Sequence, residues 1–552
     1  MKNNILHLLA RGFSLARGFA SCLRFFRASP GPKPGEARRI VDTRQSLAPA
    51  KSLAPAFLLL FLPLSFHQAP TTSTGAGYFE LTPATRDAYT KVINLRFSEA
   101  RSALDQLRRN EPDNLLPLLV ENYLDFLTVF VDNDEATYKR LSKNMAPRLE
   151  RIGQGEPRSP WRLYCQGEIR LQWAILRGQY NDMLSSLNDI NLAYGLLQEN
   201  QRLFPDFMPN KKSLAILHTA LSNTPEEYKW ALKAFTGMSG SAQQGLQEIE
   251  AVLAYAKTND FLFLEETLIA YAFMQLYLND NETAAWATLN NQSRLDTRQN
   301  PLAAFVVASV GRRTGHNDEA IRILQNAPRG GAYHPFHYLD YQLGISKLSR
   351  LDKDADQPLQ QFLRHFKGQN GIKETYQKLA WHQLVQGNPA GYSSYMAQLK
   401  NRGATRIEPD KAAQREAEEN QLPDVRLLQA RLLFDGCYYA RAYDLLKNAG
   451  PEYAGDKKRH LEYTYRQGRI AHKMGKTNEA IILYNQTIAN GATETAHYAC
   501  SAALQLGDLQ ASRGDYRAAR VAYQQCLSLN PPDYADSLHA RAKAGLNRIK
   551  GK

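Results

Sequence analysis

The sequence predicts an all-α fold in which helix-turn-helix hairpins repeat along the chain and stack into a superhelix. The chain has 552 residues, of which 43% are hydrophobic and 22% charged, as in folded proteins. Apolar residues recur at helical spacing along most of it. Small residues, glycines and aromatic residues also recur together within windows of about 34 residues, as in stacked hairpin arrays.

The clearest copies of this pattern are residues 461–491 and 500–533. The eighth and twentieth positions must be small because the two helices of a hairpin cross there. The fifteenth lies in the turn, where glycine takes a positive φ without strain. An aromatic wedge stands at the twenty-fourth position, and a proline at the thirty-second begins the next entry turn. The residues at these positions are Gly468, Gly475, Ala480 and Tyr484 in the first copy, and Gly507, Gly514, Ala519, Tyr523 and Pro531 in the second.

These two segments resemble tetratricopeptide repeats, so the predicted architecture is an α-solenoid of tetratricopeptide-like hairpins. Weaker copies recur upstream, at residues 81–113, 164–192, 265–291, 301–328 and 423–450. In the copy at 164–192, we expect Gly178 to lie in the turn and Met183 to replace the small residue.

The pattern is interrupted twice, which suggests a domain organisation. We expect degenerate hairpins over 77–400, with a helical segment at 195–250 that lacks repeat spacing. The charged run that begins at Arg415 indicates that 401–422 is a solvated connecting segment. Residues 423–552 then form the C-terminal repeats.

The segment 195–250 contains a run of motifs that resembles one family. Thr224-Pro225 is followed by Gly237-Met-Ser-Gly-Ser241, and Gly245-Leu246 opens the next helix. The order resembles the tetratricopeptide repeat 39 family, which includes the fungal inclusion-body-clearance protein. Met238 and Ser241 stand where that family has Phe and Asp. The resemblance implies an all-helical repeat superhelix over roughly residues 80–545, and it supplies no catalytic residues.

Residues 1–76 form a leader that we exclude from the fold. Ten basic and two acidic residues lie in 1–52, a net charge of +8, and the uncharged apolar run 53–66 follows. A positive flank, a short apolar stretch and a small-residue tail are the parts of a secretory signal peptide. Two explanations for its late position stay open: a start codon assigned too far upstream, or a genuine targeting extension. Membrane association is expected only through an uncleaved leader.

Charge and cysteine content argue against two classes of protein. Of the chain's net charge of +14, only +6 belongs to the residues after the leader, with acids and bases interspersed. We therefore expect no nucleic acid partner. The five cysteines form no CxxC motif, and we expect those of the body to be buried small hydrophobic residues rather than a disulfide framework.

Several short motifs suggest chemistry that their context does not support. The segment 237–241 lacks the last glycine and the strand of a nucleophile elbow. His334 and His337 flank a proline and are expected to be exposed loop residues. Glu494 and His497 are expected to form a helix surface pair. Gly514 in the tripeptide 513–515 is explained as a repeat turn. We therefore predict no enzyme activity, no cofactor and no metal site.

Stacked hairpins turn their first helices inward, and the predicted partner-binding residues lie on that face. They are Glu462, Tyr465, Arg469, His472 and Lys473 in the first repeat, and Asp508 and Ser512 in the second. An aromatic ring among basic and polar groups suits a peptide that carries acidic residues. On this hypothesis Arg469→Glu weakens partner binding without unfolding the protein; a plain solvated helix face is the alternative.

The leading hypothesis is a non-catalytic scaffold that binds protein or peptide partners on its concave face and is exported to the periplasm or envelope of a bacterium. One alternative is an envelope protein that captures glycans or other ligands on a repeat frame. Another is a repeat adaptor in the cytosol or on an organelle surface. The missing lipid-anchor cysteine disfavours the glycan-capturing alternative.

Overall fold

The structure, a computed structural model, describes residues 77–222, 238–278, 281–290 and 295–551. Across these residues the secondary structure is helical, and one isolated bridge, between Tyr78 and Asn114, is the sole β-type pairing. The predicted all-α fold is confirmed. The predicted leader and its apolar run lie outside the described residues.

Helices follow one another with short connections along the whole described chain. In chain order they are α1 (Pro83–Ile93), α2 (Phe97–Asn110), α3 (Leu116–Asp132), α4 (Glu135–Leu141), a 3-10 turn (Ser142–Asn144), α5 (Met145–Gly153), α6 (Pro160–Gln179), α7 (Met183–Leu203), α8 (Met208–Ser222), α9 (Ala242–Ala256), α10 (Leu264–Tyr277), α11 (Glu282–Asn290), α12 (Pro301–Gly311), α13 (Asn317–Asn326), α14 (Tyr338–Arg350), α15 (Asp356–His365), α16 (Ile372–Val385), α17 (Pro389–Lys400), α18 (Glu408–Glu419), α19 (Val425–Asp435), α20 (Tyr439–Leu446), α21 (Gly450–Tyr453), α22 (Lys457–Lys473), α23 (Thr477–Gly491), α24 (Tyr498–Ser512), α25 (Tyr516–Ser528) and α26 (Ala535–Arg548).

Most of these helices pack as consecutive hairpins. Helix α6 packs on α7, α16 on α17, α22 on α23 and α24 on α25, and the first helices of neighbouring hairpins also touch, as α19, α22 and α24 do. This two-level contact pattern is that of a stacked repeat array. Helix α26 closes the array by packing on both α24 and α25.

Side-chain caps mark where several helices begin. Pro160 is the first residue of α6, and the hydroxyl of Ser159 before it accepts a hydrogen bond from the Trp161 N–H. Asp456 and Asp515 accept hydrogen bonds from backbone N–H groups at the starts of α22 and α25. Such caps satisfy donors that the helix itself leaves unpaired.

The turn position requires a positive φ, whatever residue occupies it. Gly315, Gly475 and Gly514 have φ values of 86°, 73° and 82°. Leu95 and Cys437 stand at the same fifteenth position of their repeats and take φ values of 56° and 64°. The hairpins at 81–113 and 423–450 therefore keep the turn geometry without its glycine, at a cost of about 1–3 kcal/mol per strained residue.

The predicted register of the hairpin at 164–192 is wrong by three residues. Gly178 lies inside α6, and the left-handed turn residue is Asn181, with φ 63°. The helices cross where the Ser186 hydroxyl donates to the Ala174 carbonyl at 2.8 Å. Ala174 and Ser186 are thus the small residues at the crossing. The sequence misplaces the turn because Gly178, a residue type common in turns, lies three residues before the actual turn residue Asn181.

The segment 195–250 contains the hairpin of α8 and α9 as well as the end of α7. Ser241 caps α9 by accepting from the Gln244 N–H at 3.0 Å. A Cβ atom at Gly240 would lie 2.6 Å from the His218 Cα, and one at Gly245 would lie 2.6 Å from the Ala215 carbonyl oxygen. Both glycines therefore permit close approach of the two helices. Gly237 and the Thr224-Pro225 motif lie outside the described residues.

The segment 401–422, expected to be a solvated connection, contains the packed helix α18. Pro409, Asp410, Ala413 and Ala417 are buried along one side of it. The Glu416 carboxylate accepts hydrogen bonds from the Trp381 indole and the Gln377 amide, at 2.7 and 2.6 Å, and lies 3.2 Å from the Tyr392 hydroxyl. The charged residues of this segment suggested a solvated connection, but Asp410 and Glu416 are hydrogen-bonded to other helices of the fold.

Three contacts connect segments of the array that are distant in sequence. The His334 N–H donates to the Leu95 carbonyl at 2.7 Å. Arg406 pairs with Glu135 at 2.9 Å, and Lys473 pairs with Glu282 at 2.8 Å. We refer to these three contacts as latches. They join hairpins that are far apart in sequence.

Two expectations about histidines are wrong. His334 and His337 are half-buried instead of exposed, and the His334 ring lies 2.6 Å from the Asp132 carboxylate. Glu494 pairs with Lys457 at 2.5 Å rather than with His497. His497 packs beside Tyr498 instead, and burial lowers its pKa.

Three of the cysteines in the described residues, Cys165, Cys500 and Cys526, are buried, as expected, and the fourth, Cys437, is half-buried.

Candidate partner-binding site

In each of the two C-terminal hairpins, a glycine on the first helix packs against a tyrosine ring on the second helix. A Cβ atom at Gly468 would lie 3.1 Å from the Tyr484 ring, and one at Gly507 would lie 2.5 Å from the Tyr523 ring. Both rings are fully buried, as are Ala480 and Ala519, and Pro531 is buried beyond α25. This packing orients α22 and α24, which carry the predicted partner-binding residues.

The first helices α19, α22 and α24 share one continuous face. The Arg469 guanidinium lies 4.1 Å from the Phe434 ring centroid of α19 and 5.7 Å from that of Tyr465. The Tyr465 ring in turn packs 5.4 Å from Tyr498 of α24. We call the surface from Phe434 to Tyr498 the first-helix face. Each guanidinium–aromatic contact of this kind is worth about 0.5–2 kcal/mol.

The structure gives the seven predicted partner-binding residues different degrees of exposure. Lys473 and Ser512 are exposed; Glu462, Arg469, His472 and Asp508 are half-buried; and Tyr465 is buried. Lys473 and Ser512 both occupy the thirteenth position of their repeats. The exposed part of the first-helix face therefore lies at the turn end of the two helices.

Several of these residues also hold neighbouring elements together. Glu462 pairs with Arg466 one turn later. Asp508 accepts from the Tyr523 hydroxyl at 2.9 Å and pairs with Arg541 and Arg548 of α26, at 3.3 and 3.4 Å. A carboxylate engaged by three donors serves the hairpin itself.

His472 is also used internally. Its Nδ1 lies 3.2 Å from the Tyr484 hydroxyl, and burial lowers its pKa. The exposed positions Lys473 and Ser512 are therefore the best places to probe the face.

A second polar surface, missed in the sequence, is an open cleft of about 690 Å³ beside α18. Asn181, Lys373, Lys400, Arg406 and Lys411 are among the residues that line it. They come from the turn after α6, the start of α16, the end of α17, the loop before α18 and α18 itself. No single sequence window contains them, so no local motif could indicate the cleft. We call it the basic cleft.

A third polar group, the buried lysine cluster, lies inside the N-terminal half. Lys212 is 1% exposed, and its Nζ lies 2.8 Å from Glu266 and 3.5 Å from Glu168. The Tyr123 hydroxyl lies 3.1 Å from an oxygen of each carboxylate, and Tyr89 donates to Glu266. Burial lowers the pKa of Lys212, but the two carboxylates outweigh burial and raise it.

This cluster joins α1, α3, α6, α8 and α10. Every charged group in it has partners within the protein, so it fits a structural role. Among the described residues no three His, Cys, Asp or Glu side chains lie close enough to hold a metal ion. In the same part of the chain, no helix is long and apolar enough to cross a membrane.

Comparison with known proteins supports the repeat. The tetratricopeptide repeat family model matches residues 501–533, the segment formed by α24 and α25. No curated protein matches the chain. Among solved structures it is similar to the crystal structure of the APC/C hetero-tetramer Cut9–Hcn1, with 11% sequence identity and a TM-score of 0.22, over 84% of this chain and 95% of that one. No property of that complex is carried over. The resemblance of 195–250 to the tetratricopeptide repeat 39 family stays a prediction.

Proposed function

We propose that this chain, which carries a tetratricopeptide repeat at 501–533, is a non-catalytic scaffold that holds protein partners on its first-helix face. The observation that carries the proposal is the side-by-side packing of three first helices from Phe434 through Arg469 to Tyr498. Repeat arrays use such continuous faces as extended binding surfaces.

The composition of the face indicates the kind of partner. Aromatic rings and arginine side chains dominate the energetics of protein interfaces, and both lie here beside the exposed Lys473. A segment of a partner with apolar and acidic side chains matches this surface.

The test compares two matched pairs of positions in the same two repeats. Lys473→Ala with Ser512→Arg alters the thirteenth positions on the first helices. Ile482→Ala with Val521→Ala alters the twenty-second positions on the second helices, whose side chains are 58% and 59% exposed. Arg469→Glu is less suitable, because its guanidinium packs on Phe434.

Tagged wild-type protein and both double variants are expressed in the native host, and their partners are captured by proximity labelling. We expect the thirteenth-position variant to lose partners that the twenty-second-position variant keeps, while both stay folded by circular dichroism. Because Lys473 also pairs with Glu282, Glu282→Ala is the control for loss of that contact and should keep the partners. Loss of partners only in the twenty-second-position variant would place the interface on the second helices and contradict the proposal.

Export to the bacterial cell envelope is a further part of this proposal, and the leader supports it. The apolar run 53–66 follows a strongly basic segment. Fractionation of the native host, with the intact mass of the purified protein, tests it. A cytosolic protein with its leader intact favours the alternative of a cytosolic or organelle-surface adaptor.

A further inference from the structure

The basic cleft contains a buried positive charge that forms no ion pair within the described residues. Lys373 is 4% exposed, and its Nζ donates to the backbone carbonyls of Leu399 and Lys400, at 2.8 and 3.2 Å. Among the described residues, no carboxylate lies within ion-pair distance of it. Burial lowers the pKa of this lysine. The carboxylates of Asp410 and Glu418 raise the pKa, but burial outweighs them. A buried ammonium whose charge is compensated only in part would be stabilised by an added anion.

The walls of the cleft add further positive charge. Lys400 and Lys411 are exposed, and neither forms an ion pair within the described part of the chain. Arg406 also lines the cleft, and its guanidinium pairs with Glu135. The acidic residue on the lining is Glu418, which accepts from Gln414 at 2.7 Å. The cleft is therefore net positive at neutral pH.

One helix face forms much of this lining. Lys411, Gln414 and Glu418 follow one another at helical spacing along α18, whose other face is buried on Ala413 and Ala417. Asn181, in the turn after α6, also lines the cleft. The amides of Asn181 and Gln414 can hydrogen-bond a peptide backbone as well as side chains.

The shape and lining favour an acidic peptide over other anions. The cleft is open to solvent, so a segment of a partner can reach its lining. The residues that line it include no aromatic side chain on which a nucleobase could stack. Glu418 in the lining would repel a continuous run of phosphates, whereas a peptide can place a neutral residue opposite it.

We propose that the basic cleft binds an acidic segment of a partner protein, with Lys400 and Lys411 at its rim and Lys373 at its base. The inference rests on the proposed scaffold function and adds a second contact surface to it. Arg406 would then connect the bound segment to α4 through Glu135.

The experiment measures fluorescence anisotropy of a labelled peptide of alternating Asp and Gly, which can place a neutral residue opposite Glu418, titrated with the full-length protein. A peptide of alternating Asn and Gly is the uncharged probe. The cleft variant is Lys400→Glu with Lys411→Glu. The matched control is Lys257→Glu with Lys543→Glu, since both of these lysines are exposed and unpaired elsewhere in the described chain.

We expect the acidic peptide to bind and the amide peptide not to bind. In the cleft variant the acidic peptide is repelled by the glutamates introduced at positions 400 and 411, so its affinity should fall by about tenfold or more. The affinity of the control variant should stay within about twofold of the wild type. Binding should also weaken as salt rises.

Equal affinity of the wild type and the cleft variant would overturn the inference, as would tighter cleft-dependent binding of a single-stranded oligonucleotide. Failure of the scaffold function has a different signature. In that case the double variant of Lys473 and Ser512 would keep the partners of the wild type, whatever the peptide titration shows.

Discussion

At the scale of single residues, the C-terminal hairpins depend on glycines, which leave room for a tyrosine ring to pack against the helix backbone. Gly507 lies within α24, where alanine would be the better helix former by about 0.5–1 kcal/mol. Its position against Tyr523 leaves no room for a methyl group, because that group would lie 2.5 Å from the ring. The Tyr523 ring is held on its other side by Gly545, where a Cβ would lie 2.4 Å away.

We therefore expect Gly507→Ala to lower the free energy of unfolding by about 1–3 kcal/mol, as overpacking does. Gly195 is the matched control. It also lies within a helix, α7, but a Cβ there meets nothing within 4 Å. Gly195→Ala should raise the melting temperature while Gly507→Ala lowers it. Equal effects of the two substitutions would show that the glycine–tyrosine contact does not limit the hairpin.

At the scale of the helix, α18 has two faces with different tasks. One faces the basic cleft, and the other carries Asp410, which is fully buried. Its carboxylate accepts hydrogen bonds from the N–H groups of Gly371 and Glu374, at 2.7 and 2.9 Å. Asp410 thus caps the start of α16 from another helix, where the helix dipole also favours a negative charge.

Asp410→Ala should lower the free energy of unfolding by about 2–4 kcal/mol, because it leaves two buried N–H groups without a partner. Asp410→Asn keeps an acceptor and should cost less. Asp456→Ala, which removes an exposed cap from α22, should cost only about 1 kcal/mol. Chemical denaturation measures all three. A loss for Asp410→Ala no larger than for Asp456→Ala would contradict this role.

The same helix shows what sequence patterns can and cannot predict. The hairpins around Gly475 and Gly514 could be predicted from the sequence. Their turns and helix crossings require glycine or another small residue at fixed positions, and these residues are present. Leu95 and Cys437 adopt the turn conformation without glycine, so their hairpins read as degenerate. Asp410 and Glu416 resemble solvated charges, and only their distant partners show that they are structural. The cleft joins Asn181, Lys373 and the stretch 400–418, three separated parts of the sequence, so no local pattern could indicate it.

At the scale of the whole molecule, the buried lysine cluster joins five helices of the N-terminal half. Removing one member of a buried ion pair leaves an uncompensated charge, at a typical cost of about 3–5 kcal/mol. Among the residues that the structure describes, Lys212 is the one cation that pairs with the carboxylates of Glu168 and Glu266.

Lys212→Met should therefore shift the denaturation midpoint of the N-terminal half strongly to lower denaturant. Adding Glu168→Gln should restore part of the loss, because it removes one unpaired carboxylate. Lys139→Met, which breaks an exposed pair with Glu135, should change the midpoint little. Hydrogen exchange monitored by mass spectrometry locates the change. Unaltered exchange in α6 and α8 of the Lys212→Met variant would refute the role of the cluster.

The three latches also restrict how this protein can evolve. An open array can gain or lose a hairpin by duplication or deletion, since each unit touches only its neighbours. Here Leu95 meets His334, Glu135 meets Arg406 and Glu282 meets Lys473. Inserting one hairpin between any of these partners would move them apart by a whole unit. Gain or loss of one hairpin between these partners would therefore break a latch, a cost that an open array does not have.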